Sequence, residues 1–258
     1  MLSRHIIRNY RNSKRLFLLI FVSIIIQNAN SQPGRIIQNL KFGFGGGINF
    51  SMIDAANEFE LYEDLAGNTS SNEYSGVFQN LGNQYFFLAE YHVDGLVIGV
   101  RPGTYSYKFS RENILYFENS EVLQDNDFSL RYFSIPLEVK YLLNTNRLQP
   151  YIGGVLTWAT LLASGENENL DFINNRLAMG ASAGAYYETG FMTVLMSLVY
   201  NHGIHVITRK DSRYNISISE PYSQSDLRLN DLNLNLSLLF SLEKKRFRSN
   251  MKCPYPQR

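Results

Sequence analysis

The 258-residue sequence predicts an all-β fold, an eight-stranded antiparallel up-and-down β-barrel, and two patterns support this prediction. The first is alternation: beyond residue 39, apolar and polar residues alternate in eight segments, as they do when successive side chains point to opposite faces of a strand. Helical periodicity is nearly absent from this part of the chain. The predicted strands are residues 40–51, 83–93, 96–109, 128–143, 148–162, 174–188, 191–202 and 228–242.

The second pattern is the length of the connections between these segments. Three links are short, at Asp94-Gly95, 144–147 and Thr189-Gly190, and they alternate with long polar connections over 52–82, 110–127, 163–173 and 203–227. An up-and-down meander places all the short turns at one end, as outer-membrane barrels do. The first long connection has room for another hairpin, so ten strands stay an alternative.

The final strand, read as "DLNLNLSLLFSL" over 231–242, shows why the two faces matter. Its leucines share one face, which contacts either a protein core or lipid. Across the predicted strands, the mid-strand charges fall on the polar face and divide equally between the two signs. They form a predicted ion-pair network inside a narrow lumen: Glu90, Arg101, Glu138, Lys140, Arg176 and Glu188.

The apolar faces of the second, fourth, sixth, seventh and eighth predicted strands indicate lipid rather than water outside. These faces contain no charged residue. A charge there would cost about 2–4 kcal/mol at the bilayer midplane. The sequence therefore predicts a transmembrane barrel whose polar faces line the lumen. Because eight strands leave an interior that side chains just fill, the charged cluster is interpreted as a packed plug rather than a channel.

The third predicted strand is less regular than the others. Its alternation changes phase near Pro102-Gly103, which we interpret as a β-bulge that reverses the two faces. This interpretation places the aromatic residues of 105–109 on the outer face, in a belt near the long-loop end. A second aromatic belt is predicted near the short turns. The two belts comprise Phe50, Tyr105, Tyr107, Phe109 and Tyr200, and Tyr91, Tyr141, Tyr187 and Phe240, respectively.

The N-terminus predicts a secretory signal peptide over residues 1–31. Five basic residues precede an apolar run from Leu16 to Ile26, and the small residues before Gln32 predict cleavage between Ser31 and Gln32. An uncleaved anchor is the alternative. The predicted domains are therefore the signal peptide 1–31, the outer-membrane barrel 32–242 and a basic periplasmic tail 243–258. The predicted location is a bacterial outer membrane.

Charge separates the barrel from the tail. The net charge of +1 includes five basic residues in 1–31 and, in the tail, six basic residues against one acid, which leaves −9 over 32–242. An acidic body argues against nucleic-acid binding. The tail is either an electrostatic anchor at lipid headgroups or a docking peptide for a periplasmic partner. Its candidate docking residues are Lys244, Lys245, Arg246, Arg248, Lys252 and Cys253. Because Cys253 is the only cysteine of the chain, an internal disulfide is ruled out.

The stretch "RYFSIPLEVKYLLNTNRLQPYIGGVLTW" over 131–158 resembles the central hairpin of the PorT-like outer-membrane barrels of Bacteroidota. The Gly-rich first strand 41–51 fits the same family. The resemblance implies a role connected with type IX protein secretion. The positions that carry it are Tyr132, Ile135, Pro136, Leu137, Lys140, Tyr141, Pro150, Tyr151, Ile152, Gly153 and Gly154.

Catalysis is the weaker interpretation. An acid–base pair of His92 with Glu90 or Glu188, or a site using His202 and His205, is the candidate for a membrane-embedded hydrolase or acyltransferase. We expect no enzyme, cofactor, metal or small-molecule substrate. The expected function is a non-enzymatic accessory of secretion that contacts outer-membrane lipid and secretion components. A structural or surface-adhesion barrel is the alternative.

Overall fold

The computed structural model describes residues 39–57, 71–74, 76, 79–117, 120–144, 146–165, 171–209 and 226–241. The predicted signal peptide and the basic tail lie outside these residues. Lys41–Phe240 forms one compact unit, and of the residues outside it only 39–40 and 241 are described. Among the described residues, no helix is long and apolar enough to cross a membrane.

The described residues form ten β-strands in one antiparallel sheet. They are β1 Leu40–Asn57, β2 Ser71–Tyr74, β3 Leu81–Val93, β4 Leu96–Val100, β5 Gly103–Phe117, β6 Ser120–Leu142, β7 Leu148–Ser164, β8 Asn175–Glu188, β9 Thr193–Gly203 and β10 Asp226–Ser241. The order β1-β10-β9-β8-β7-β6-β4-β3-β5-β2, with additional β1–β3 and β5–β6 pairings, closes the sheet into a ring.

Eight staves make up this ring, where a stave is one strand or two strands that follow each other in line, and this confirms the predicted eight-stranded barrel. β4 and β5 are two parts of one stave, since both pair with β3 and β6 and only Arg101 and Pro102 separate them. The short β2 pairs with β5 at residues 111–114 and is not a ninth stave. The described residues of 52–82 therefore add no further stave to the barrel.

Short turns join the staves at one end, as the sequence predicts. Asp94 and Gly95 both have positive φ, at 42° and 88°, the backbone of a two-residue type I′ hairpin. The other two short links join β6 to β7 and β8 to β9, and Gly190 in the second of them has a φ of 104°.

The predicted loop over 110–127 is wrong. β5 and β6 stay paired residue by residue out to Phe117 opposite Ser120, so this region is a long two-stranded hairpin. Polar residues occupy both faces of the stretch in sequence. A stretch with polar residues on both faces lacks the alternation by which strands are recognised.

Side chains in the half of the barrel near the short turns point as predicted. In β6, Phe133, Val139 and Tyr141 are exposed on the outside, whereas Ser134, Glu138 and Lys140 are buried inside. The leucines Leu234 and Leu236 of β10 likewise point outward, and Asn233 and Asn235 point into the lumen. These leucines of the last strand therefore lie on the outer wall and not in a protein core.

The predicted reversal of faces at Pro102-Gly103 is also wrong. Odd-numbered residues point inward throughout this stave, from Val97 to Phe109. Tyr105, Tyr107 and Phe109 are therefore buried in the lumen and do not belong to an outer aromatic belt. What changes along the stave is the chemistry of each face, because the outer wall is apolar over β4 and turns to Thr104, Ser106 and Lys108 in β5.

The same change occurs in two other strands. In β6 the inward residues Phe128, Leu130 and Tyr132 are apolar or aromatic, and the outward apolar series begins only at Phe133. In β10, Leu227 and Leu229 point inward before the outward series starts at Leu232. We call this level of the barrel the boundary. Towards the short turns the wall is apolar outside, and towards the long loops the apolar residues lie inside.

The glycines of β1 create space for polar side chains in the lumen. Gly43, Gly45 and Gly47 share the inward face of β1. Because Gly47 has no side chain, Gln84 of β3 donates a hydrogen bond across it to Asn235 of β10. A Cβ at Gly47 would lie 2.6 Å from the Asn235 Oδ1 atom.

Candidate functional site

The lumen near the short turns holds a buried ion-pair network. Lys140 Nζ lies 2.7 Å from both Glu90 Oε1 and Glu138 Oε2, and Arg101 lies 2.7 Å from Glu138 Oε1. The hydroxyl of Tyr186 donates to Glu90 at 2.9 Å. Four of the six predicted network residues therefore meet in one cluster, which we call the lower cluster. Each is at most 3% exposed, so their charges compensate one another away from bulk water.

Aromatic rings seal the lower cluster on its sides. The Lys140 ammonium lies 5.1 Å from the ring centre of Tyr151 and 5.5 Å from that of Tyr186. The Arg101 guanidinium lies 5.0 Å from the ring centre of Phe86. These distances are within the range of cation–π contacts. The cations are thus enclosed by carboxylates and ring faces together.

Arg176, the fifth predicted network residue, belongs to a separate cluster nearer the long loops. Its guanidinium pairs with the carboxylate of Asp231, donates to the Leu229 carbonyl at 3.0 Å and contacts the Tyr107 hydroxyl at 3.2 Å. Asn201 also donates to Asp231, at 2.7 Å. The sequence analysis did not include Asp231, although it shares the inward face of β10 with Asn233 and Asn235.

Glu188, the sixth predicted residue, lies at the rim instead of within the network. It pairs with Lys41 of β1 at 3.1 Å, and its side chain is 44% exposed. Lys41 was also absent from the prediction, although it shares a face with the inward glycines of β1. The carboxylate that pairs with Arg176 inside the barrel is therefore that of Asp231, and not that of Glu188.

Towards the long loops, the lumen is filled by apolar and aromatic side chains. They form one buried cluster: Phe86, Tyr105, Tyr107, Phe109, Phe128, Leu130, Tyr132, Ala159, Phe172, Ile207, Leu227 and Leu229. Phe109 and Phe128 stack at 4.8 Å between ring centres. The Arg111 guanidinium lies 5.6 Å from the Phe128 ring centre.

Two segments outside the staves complete this aromatic filling. Phe172 and Thr208 form a β-bridge, and the Ile207 amide donates to the Leu227 carbonyl at 2.7 Å. Phe172 packs edge-on against both Phe109 and Phe128. The connection before β8 therefore inserts Phe172, and the connection after β9 inserts Ile207, into the mouth of the barrel.

The candidate histidines lie far apart in the fold. His92 is near the short turns, where it contacts Glu90 at 3.2 Å and the Tyr186 ring edge-on. His202 lies near the opposite end of β9, and His205 is exposed just beyond that strand. Among the described residues, no three His, Cys, Asp or Glu side chains are grouped as a metal site requires.

The outer wall is uncharged over the described residues between the short turns and the boundary. Residues 133–142 of β6 cover this zone, close to the 9–11 residues that a tilted strand needs to cross a bilayer. Residues 120–131 continue for about 40 Å of strand at ~3.3 Å per residue. The β5–β6 hairpin therefore extends well beyond the membrane on the long-loop side.

A closed antiparallel barrel with an apolar outer band and short turns at one end is a transmembrane β-barrel of the outer-membrane type. Ring closure satisfies the backbone hydrogen bonds of every stave, which the bilayer interior requires. The packed lumen further defines it as a filled barrel. This class rests on the strand pairing and on the chemistry of the two faces.

No family model matches the chain, and no curated protein matches its sequence. Among solved structures, the chain is similar to Neisserial surface protein A, at 14% identity over 78% of this chain and 96% of that chain, with a TM-score of 0.40. It is similar to AlkL, solved in DMPC lipid bilayers, at 16% identity over 78% and 90%, with a TM-score of 0.39.

A third similar structure is Ail, the attachment invasion locus protein of Yersinia pestis, in complex with the heparin analogue sucrose octasulfate. The identity is 12% over 78% of this chain and 99% of that chain, with a TM-score of 0.32. Similarity at this level transfers no function to this chain.

Proposed function

We propose that this outer-membrane barrel is a non-enzymatic accessory of protein secretion, of the PorT-like type, and that it acts through its surfaces. The filled lumen is the observation that carries the proposal. Ion pairs occupy one half of the interior and aromatic side chains the other, so a folded or extended polypeptide has no path through the barrel. A role in secretion must then belong to the loops, the projecting hairpin or the periplasmic tail.

The secretion role itself comes from the resemblance of residues 131–158 to PorT-like barrels of Bacteroidota. Three of the residues that carry it, Tyr132, Lys140 and Tyr151, are buried parts of the lumen filling. Ile152 and Tyr141 lie on the outer wall. In this chain the motif residues thus contribute both to the lumen filling and to the outer wall. The partners proposed here are secretion components and outer-membrane lipid, with neither nucleic acid nor a small-molecule substrate.

The absence of catalysis is part of the proposal. The carboxylate of Glu90 already accepts from Lys140 at 2.7 Å and from Tyr186 at 2.9 Å, so it is held as the anion of an ion-pair cluster. A carboxylate whose charge is already compensated in this way does little to activate His92 as a general base. The histidine pair is therefore interpreted as structural, and we propose neither a hydrolase nor an acyltransferase.

Surface adhesion is the second candidate, and the projecting β5–β6 hairpin favours it. The hairpin extends the barrel beyond the boundary and carries β2 along its edge. An ordered strand platform outside the membrane suits contact with another surface. Adhesion predicts that shortening the hairpin abolishes binding to that surface and leaves secretion intact.

The basic tail provides the test of the secretion proposal. Deleting residues 244–258 in a host that secretes through the type IX route is expected to lower cargo in the medium while the amount of folded barrel stays the same. The reason is that the tail is the proposed docking peptide for a periplasmic component. Cargo and barrel are measured by immunoblotting of the medium and of the outer-membrane fraction.

A matched variant separates docking from headgroup anchoring. Reversing the order of residues 244–248 keeps every charge but changes the peptide, so an electrostatic anchor survives and a docking peptide does not. Secretion should fall in this variant too. Normal secretion by the deletion variant, at normal barrel abundance, would remove the basis of the proposal.

A further inference from the structure

We propose that the outer wall carries a binding site for a phosphate group of an outer-leaflet lipid, formed by Lys108 of β5 and Arg131 of β6. Neither residue belongs to the lumen clusters, and both side chains are exposed on the outside of the barrel. The site does not depend on the secretion role proposed above. Its position, its charge and its polar neighbours support it.

The position is set by the boundary. Phe133 is the last outward apolar residue of β6, and Arg131 is the next outward residue along the strand. On the neighbouring stave, Thr104 pairs with Phe133, and Ser106 and Lys108 follow outward. Both cations therefore stand one or two outward positions above the apolar band, at the depth of lipid headgroups. Because long loops lie on the extracellular side, these headgroups belong to the outer leaflet.

The two cations are close neighbours across the strand pair. Ser106 lies opposite Arg131, and Lys108 lies opposite Ser129, so the two cationic side chains occupy a diagonal on one face of the antiparallel ladder. Diagonal partners have Cα atoms about 7–8 Å apart, which long side chains bridge readily. An anion between them accepts hydrogen bonds from both, and a phosphate has the charge and the acceptor oxygens to do so.

The neighbouring side chains complete a polar patch. Ser106 and Ser129 lie on the same face, and Asn83 of β3 pairs with Ser106 from the other side. Hydroxyl and amide groups add donors around the two cations. No ion pair within the described part of the chain uses either cation.

Acidic side chains follow only further from the membrane. On these two strands, Asp127 and Glu112 are the first outward acids beyond the patch, and Asp127 lies on the diagonal from Lys108 that points away from the membrane. On these two strands the charge of the outer wall thus changes from none below the boundary, to positive at headgroup depth, to negative beyond it. A positive patch at that depth matches the anionic layer formed by phosphorylated headgroups.

The test uses the full chain, purified and folded in detergent, with diphosphoryl lipid A as the probe and native mass spectrometry as the readout. The variant K108Q/R131Q is expected to retain the lipid roughly tenfold less, since two charge-assisted contacts are lost. K108R/R131K keeps both charges and should retain it. The control R147Q/R209Q removes two exposed positive charges elsewhere and should bind as the unaltered chain does.

Two further probes identify the source of the phosphate. A dephosphorylated lipid with the same acyl chains should bind at least tenfold less than diphosphoryl lipid A, and inorganic phosphate should not displace the lipid at millimolar concentration. Equal retention by K108Q/R131Q would overturn the site. Equal binding of the dephosphorylated lipid, or displacement by inorganic phosphate, would overturn its assignment to a lipid phosphate.

Discussion

Individual side chains in the lumen differ in their contribution to stability according to their depth. Glu138 and Glu188 were both predicted as network members from the same alternation, yet Glu138 is 1% exposed between two cations and Glu188 is 44% exposed at the rim. Removing one charge from a buried cluster leaves its partners uncompensated in a low-dielectric site, whereas water screens a rim pair.

The same substitution at these two positions gives the first prediction at this scale. E138Q should lower the free energy of unfolding by about 3–5 kcal/mol, because Arg101 loses its carboxylate partner. E188Q should lower it by about 0–1 kcal/mol. Urea unfolding in lipid vesicles, followed by the mobility difference between unheated and heated samples, measures both. Equal effects of the two variants would mean that the lower cluster does not hold the barrel together.

Which residues meet inside the barrel was only partly predictable. Alternation alone assigns Glu90, Arg101, Glu138 and Lys140 to one face, and the structure groups these four. The partner of Arg176 was not predictable in this way, because pairing across the lumen depends on how far the strands are staggered around the ring. Asp231 was recognisable as an inward residue, but its contact with Arg176 was not.

At the scale of single strands, β1 is distinguished by glycines on its inward face, which leave space in the lumen. Its inward glycines let Gln84 and Asn235 meet across the strand, and Phe44 on its outward face packs at 6.3 Å from Phe240 of β10. β1 is thus the strand that closes the ring and leaves room for the polar network of its neighbours.

A pair of glycine substitutions tests this role of β1. G47A should lower the free energy of unfolding by about 1–3 kcal/mol, because the new methyl group would lie against the Leu234 carbonyl oxygen and 2.6 Å from Asn235 Oδ1, and both must shift. G154A is the control: nothing lies within 4 Å of its Cβ, and its effect should be within about 0.5 kcal/mol. The urea assay described for E138Q also serves here. If G47A is as stable as G154A, the lumen does not need the space.

The strands also show where sequence reasoning failed and why. The rule that apolar faces meet lipid holds only where lipid is present. Beyond the boundary, water lies outside and the aromatic filling lies inside, so the apolar face of β5 changes sides while the strand itself stays regular. The phase change at residues 100–105 was visible in the sequence. Its cause became clear only when β6 and β10 showed the same change at their own boundary positions.

On the scale of the whole molecule, the described residues form a barrel with two zones. In one zone the outer wall meets lipid and the lumen holds ion pairs, and in the other the outer wall meets water and the lumen holds aromatic side chains. The lipid-phosphate site follows from the level at which these zones meet. The filled lumen and the projecting hairpin are consequences of the same division.

Spin labels along β6 test this claim most directly, because this strand crosses both zones. In a C253S background, which removes the only cysteine, single cysteines replace residues 127–141 one at a time, and collision rates with oxygen and with a water-soluble nickel reagent are measured in vesicles. Odd positions from 133 to 141 should collide with oxygen, and positions 127, 129 and 131 with the nickel reagent. Even positions should collide with neither. Nickel collisions at 133–141 would contradict the account.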